Sequence, residues 1–199
     1  MAEEKRTKLS ASDWTAAAFQ ALAEGGLAAI AVEPLASRLG ATKGSFYWHF
    51  TSRDELIEAT LAEWEQLGTE DVIAAADAEP DVVNRLRGLL RLVLGAVERQ
   101  PSAGAAELAL QATASHPLVA PVLARVTQRR LAYLTRLFAE LGFPPAEANR
   151  RGLLAYTAYL GHAQLAHATS ALVPSGVALD AYIEGVVQTL LGDRSRLRS

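Results

Sequence analysis

From Trp14 to Leu191 the apolar residues of this chain recur at spacings of three and four, the pattern of amphipathic α-helices. Trp14, Ala17, Ala18, Ala21 and Leu22 trace one such face, and Val83, Leu86, Leu90, Val93, Leu94 and Val97 trace another. Leu179, Tyr182, Ile183, Val186, Val187, Leu190 and Leu191 form a broader stripe near the end. No run of alternating β-branched residues, internal repeat or low-complexity block competes with this period. The expected fold class is all-α with about nine helices. At 199 residues the chain is long enough to bury a sizeable core.

Helix punctuation divides the pattern. Ser10 and Asp13 read as a capping pair, and Gly25-Gly26 as a stop. A short helix is expected over 32–39, with Pro34 in its first turn and Gly40 ending it. Thr42 can cap a third helix reaching Phe50, and Ser52-Arg53-Asp54-Glu55 reads as a capping box opening a long fourth. Beyond Pro80, helices are expected over about 82–97, 103–114, 121–141, 145–171 and 177–192, set off by Pro101, Pro117, Pro121, Gly142, Pro144, Pro145 and Pro174. The N-terminal three-helix unit and a C-terminal helical bundle would then follow one another.

Charge is segregated along the chain. Residues 1–53 carry six Lys and Arg against five acids, residues 54–80 carry nine acids and no base, and residues 81–174 carry ten arginines against five acids. A mildly basic head followed by an acidic run suggests that only the head meets a polyanion. The absence of cysteine excludes disulfides, thiolate zinc sites and cysteine nucleophiles. Met1 to Arg6 is polar and lacks the apolar segment of a secretory signal, so a cytoplasmic location is expected. Residues 152–173 carry no formal charge, long enough to span a bilayer. Yet Tyr156, Tyr159, His162, Gln164 and His167 interrupt them, so a helix buried on two sides by protein fits better, and no membrane partner is expected.

Two short helices joined by Gly40-Ala41-Thr42 have the dimensions of a helix-turn-helix, whose second helix enters the major groove of DNA. Phe46 and Phe50, four apart, would pack inward against Leu35 and Leu39. Thr42, Lys43, Ser45, Tyr47, Trp48 and His49 would then lie outside, with Gly44 letting the backbone approach DNA closely. Thr42, Lys43 and Ser45 are candidates for base edges, and Tyr47 and His49 for phosphate. Trp48 belongs to the same surface or covers the edge of the head. Lys5, Arg6 and Lys8 would add a basic arm beside the first helix.

The run Gly40 to Phe50, followed by Ser52-Arg53-Asp54-Glu55-Leu56, resembles the signature of the tetracycline-repressor (TetR) family. Ala23-Glu24-Gly25-Gly26-Leu27 and Val32-Glu33-Pro34-Leu35-Ala36 are similar to the family's first two helices, and the likeness covers about residues 10–60. Ala31 departs from it, standing where the family commonly has a capping threonine. The resemblance implies a DNA-binding domain over 1–55 and a ligand-binding and dimerisation domain over 56–199. It implies a homodimeric regulator, usually a repressor, that binds a double-stranded, near-palindromic operator and is released by a small molecule. The last two long helices would pair across a two-fold axis. Ala158, Gly161, Leu165, Tyr182, Val186 and Leu190 are the residues expected at that seam.

An effector cavity would lie among Trp64, Leu89, Val93, Gln111, Tyr133, Tyr156, Tyr159 and His162, suited to an apolar or aromatic molecule with one or two polar handles. The arginines at 85, 87, 91, 129 and 130 are expected at the surface. His162 and His167 lie roughly 140° apart around a helix and cannot chelate one ion from one face, so no metal or other cofactor is expected. No nucleophile–base pair, paired carboxylates or phosphate-cradling loop appears, so no catalytic residue is assigned. Two readings stay open beside the ligand-responsive regulator. One is a DNA-binding dimer with no effector; the other, more remote, is an all-α enzyme.

Overall fold

Side-chain caps start most helices of the N-terminal unit. In a computed structural model describing residues 9–192, Ser10 accepts the Asp13 amide while the Asp13 carboxylate accepts the Ser10 amide at 2.7 Å. This reciprocal box opens α1 (Ala11–Gly25), which Gly26 closes at φ +70°. The basic arm of Lys5, Arg6 and Lys8 lies outside the described residues. α2 (Val32–Arg38) starts at Ala31 with no side-chain cap, and Gly40 leaves it at φ +61°. At α3 (Lys43–Phe46) the Thr42 hydroxyl accepts the Ser45 amide at 3.2 Å.

Two local expectations are corrected. α3 ends at Phe46 rather than Phe50: residues 47–49 form a turn with three-residue bonds, Trp48 N–H to Ser45 C=O and His49 N–H to Phe46 C=O. Consecutive aromatic residues are weak helix formers, and here core packing decides their placement. Phe50 N–H still reaches Phe46 C=O at 3.0 Å, so both rings return to one side. At α4 (Arg53–Glu65) Ser52 caps the Glu55 amide at 3.1 Å, but Glu55 turns back onto the Thr51 amide and hydroxyl at 2.6 and 2.7 Å, not onto Ser52. The box is shifted by one residue.

α4 continues through a π-turn (Gln66–Glu70) into α5 (Asp71–Asp77), the backbone staying helical at both junctions. Then follow α6 (Val82–Arg99), α7 (Pro101–Ala112), α8 (Val119–Glu140), α9 (Pro145–Ala168) and α10 (Gly176–Leu191). Pro101 and Pro145 occupy first-turn positions, where a missing N–H costs nothing. α9 stops three residues short of the expected end, and Ser170–Leu172 form a 3₁₀ turn. With α4 and α5 counted as one rod, the described residues hold nine α-helices and no strand. Among the described residues no helix is long and apolar enough to cross a membrane.

Two hydrophobic clusters hold these elements. The first joins Trp14, Leu22, Leu35, Phe46, Phe50, Leu56 and Trp64 to Leu110 of α7 and Val119 and Val126 of α8. The helix-turn-helix unit is thereby seated on the body rather than tethered to it. The second joins α5 and α6 to α8, α9 and α10 around Leu86, Leu137, Phe138, Tyr156 and Ile183. At Gly152 an added Cβ would lie 3.1 Å from the Thr135 backbone nitrogen, so glycine is what lets α8 and α9 approach.

Part of the acidic run is paired within the chain. Glu65 pairs with Arg125 at 2.5 Å, Glu70 with Arg129 at 3.0 Å and Asp77 with Arg136 at 2.9 Å. These pairs ascend α4–α5 and α8 together, so the rod and α8 run in the same direction. Each exposed pair contributes little alone, and the ladder sets register more than stability.

Candidate nucleic-acid interface and internal cavity

The turn between α2 and α3 presents its side chains on a rigid base. Phe46 is fully buried, edge-on to Trp14 at 5.3 Å and stacked with Phe50 at 5.6 Å. With that side fixed inward, Thr42, Lys43, Gly44, Tyr47 and Trp48 are exposed, and Ser45 and His49 half-buried. Trp48, 87% exposed, covers no core, which removes the edge-covering alternative. An added Cβ at Gly44 would meet only the Thr42 hydroxyl at 3.7 Å, so the surface there is open. Lys43 is not free: its ammonium holds Glu33 of α2, and that hydrogen bond lowers the Glu33 carboxyl below its ordinary range. To reach a base edge, Lys43 must leave Glu33.

Arg53 is a positioning residue that sequence reasoning passed over. Its guanidinium donates to the carbonyls of Ile30 at 2.5 Å and Leu27 at 2.8 Å. The first turn of α4 is thereby tied to the segment that leads into α2.

α9 and α10 bury one side each and leave the other open. On α9, Leu153, Leu154, Thr157, Gly161, Gln164 and Leu165 are exposed along one face. On α10, Ala178, Ala181, Tyr182, Gly185 and Thr189 form a second uncharged face. Asp180 and Glu184 lie elsewhere on α10, paired with Arg91 and Arg87 of α6. Of the expected seam residues, Gly161, Leu165 and Tyr182 are open and Ala158 and Val186 partly so. Leu190 is 2% exposed inside the protomer's own core, because the stripe that suggested it faces inward there. Leu153 and Leu154, which the sequence reading missed, each stand half exposed.

Between the α4–α5 rod and helices α6, α8 and α9 lies a cavity of about 60 Å³, adjoined by a second of about 180 Å³. Leu89, Val93, Tyr133, Tyr156 and Tyr159 line the first, and Trp64, Val93 and Tyr159 the second. Gln111 lies outside both, and His162 lines a separate cleft beside α10.

Arg130 overturns the expectation of surface arginines, for it stands between the two cavities. Its guanidinium holds both Glu107 oxygens at 3.0 and 3.1 Å, donates to Thr69 Oγ1 at 2.9 Å and to the Gly68 carbonyl at 3.2 Å, and lies over the Trp64 ring at 5.2 Å. Glu107 is 2% exposed. Burial of the pair is possible because each charge meets the other and nearly every donor finds an acceptor. The acceptors from the rod, Thr69 and Gly68, belong to the π-turn.

The tyrosines around this pair behave differently. Tyr133 donates to Asp77 at 2.9 Å, and burial together with that carboxylate pushes its phenol up to about 12. Burial first, then the charge of Glu107, raises the Tyr159 phenol further still. The Tyr156 hydroxyl is buried without a hydrogen-bond partner.

His162 stacks on Tyr182 at 5.8 Å, and burial holds its imidazole below the ordinary value of 6.5. As pH falls through 6.5 the unfolded chain takes up a proton that the folded one resists, so folding stability drops. Urea midpoints should therefore fall between pH 7.5 and 5.5 in the native chain, and His162→Phe should flatten that step. An equal step in the variant would mean that other groups cause it.

A helix-turn-helix head seated on an all-α body with an internal cavity defines the structural class. Residues 15–60 match the family of bacterial regulatory proteins described as the tetR family. The likeness to that family is confined to the head, less than a quarter of the chain. The HTH-type transcriptional regulator TtgR of Pseudomonas putida is 33% identical over 94 residues, a match spanning 45% of this chain and 44% of that regulator. A transcriptional regulator from Rhodococcus sp. Rha1 has the same fold, with a TM-score of 0.73 at 22% identity over 92% of this chain and 95% of its own. AibR, crystallised with isovaleryl coenzyme A and operator DNA, superposes with a TM-score of 0.67 at 20% identity over 91% and 97%.

Proposed function

We propose that the chain is a ligand-responsive, DNA-binding transcriptional regulator, a repressor that binds a near-palindromic operator as a homodimer. The observation that carries this reading is the exposed α2–α3 turn on its fixed aromatic base. Residues 1–55 would bind DNA and residues 56–199 would bind ligand and dimerise, with one core continuous between them. Thr42, Lys43, Gly44 and Ser45 would meet base edges, and Tyr47, Trp48 and His49 the backbone, joined by Lys5, Arg6 and Lys8. A regulator of this fold needs two heads, and the uncharged open faces of α9 and α10 support a second copy as their cover. Ala158, Gly161, Leu165, Tyr182 and Val186, with Leu153 and Leu154, would make that seam.

Release would come from an apolar or aromatic effector in the paired cavities. A ligand there shifts DNA affinity only through its differential affinity for two arrangements of the heads. The π-turn and Arg53 supply a physical connection from cavity to head. AibR, of the same fold, has been crystallised in complex with both a small molecule and operator DNA.

Selection of bound duplexes from a randomised pool tests the proposal. A two-fold-symmetric site should emerge, Tyr47→Ala should weaken all selected sequences together, and Thr42→Ala should relax preference at particular base pairs. Enrichment of no sequence, with affinity indifferent to both changes, would contradict it.

A further inference from the structure

The charge balance of the cavity and one orphaned hydroxyl narrow the chemistry of its ligand. Arg130 is the cation bordering both cavities, and Glu107 already neutralises it at 3.0 Å. The remaining lining is carbon-rich, from Val72, Leu89, Leu90, Val93 and Leu134, with tyrosine rings between. An arriving anion would have to displace Glu107, which is 2% exposed and would be left buried without a cation. The Tyr156 hydroxyl, in contrast, has no partner in a residue only 6% exposed that lines the smaller cavity. A buried donor left unpaired is costly, and a ligand acceptor would relieve that cost.

Building on the effector reading above, we propose that the adjoining cavities form one site for a neutral one- or two-ring apolar compound carrying a hydrogen-bond acceptor, which the Tyr156 hydroxyl binds. The size agrees: cavities of about 60 and 180 Å³ flank a shared border at Gly68, Val72, Val93, Arg130 and Tyr159. For comparison, an apolar cavity of about 150 Å³ holds benzene. Aromatic walls at Tyr156 and Tyr159, stacked 6.3 Å apart, suit a flat ring. The ligand would lie against the Arg130–Glu107 pair without breaking it.

Calorimetric titration of the full-length protein with four probes tests this: propiophenone, n-propylbenzene, 4-ethylbenzoate and isovaleryl coenzyme A. Propiophenone should bind best. Propylbenzene, which lacks the acceptor, should bind about fivefold more weakly, the worth of one hydrogen bond. Neither anion should bind the unaltered protein. Tyr156→Phe should erase the difference between ketone and hydrocarbon while leaving hydrocarbon affinity in place. Glu107→Gln should admit 4-ethylbenzoate, which then pairs with Arg130 and raises the variant's melting temperature. Binding of either anion to the unaltered protein as well as the ketone would overturn the proposal while leaving an effector site standing. An undiminished ketone preference in Tyr156→Phe would overturn it equally. Binding of none of the four would overturn both this proposal and the effector reading beneath it.

Discussion

Replacing Leu165 with aspartate is expected to turn the proposed dimer into monomers and to cut operator affinity by roughly 10²- to 10⁴-fold, the range that linkage of two binding modules supplies. Leu165 is suited to this test because it is 54% exposed on the protomer. A charge there disturbs no internal packing, so the monomer should stay folded. At a two-fold seam each aspartate would be buried without a cation and would face the hydrophobic surface of its mate. Removing a partner from a buried charge costs about 3–5 kcal/mol, and symmetry doubles the effect. Val186 would be a poorer probe, because it packs partly against the protomer's own core. Sedimentation velocity reads the assembly, and circular dichroism confirms the fold. A folded Leu165→Asp variant that remained dimeric would place the seam elsewhere.

Glu107→Ala is expected to be among the most destabilising single changes in the body. It leaves Arg130 buried, with Thr69, Gly68 and the Trp64 ring as its remaining neighbours. An uncompensated buried charge of this kind costs about 3–5 kcal/mol. Whole domains are stable by only about 5–15 kcal/mol. The double variant Glu107→Gln with Arg130→Met removes both charges and should recover most of that loss, since apolar replacements of buried pairs are often neutral. Urea unfolding of the native, single and double variants measures it. Equal stability of Glu107→Ala and the native chain would show that water reaches Arg130 freely.

The head was far more legible in the sequence than the body. All its helices but α2 begin at capping residues whose partners lie three positions away, so Ser10, Thr42 and Ser52 announce themselves locally. The inward pair Phe46 and Phe50 is likewise a local spacing. The short end of α3 was not legible, because it depends on both rings reaching a core supplied by α1 and α4. In the body the cavity-lining tyrosines and leucines came from where the family resemblance places a ligand site, and Arg130 was not among them. Arginine stems usually lie on surfaces, and the partner that permits burial here is 23 residues distant on another helix. The π-turn at Gln66–Glu70 left no recognisable mark either, since its sequence reads as ordinary helix. Leu190 shows the limit of stripe width as a guide: a broad apolar face records burial but not which molecule buries it.

The central claim, that the α2–α3 turn brings the chain onto DNA through phosphate contacts, is most directly tested by the salt dependence of operator binding. Fluorescence anisotropy of the selected duplex would be followed at about 50 and 200 mM salt, an interval over which six to ten phosphate contacts lose about 10³- to 10⁵-fold in affinity. A loss of that order is predicted for the native protein. Affinity that stays level across the interval would contradict the account.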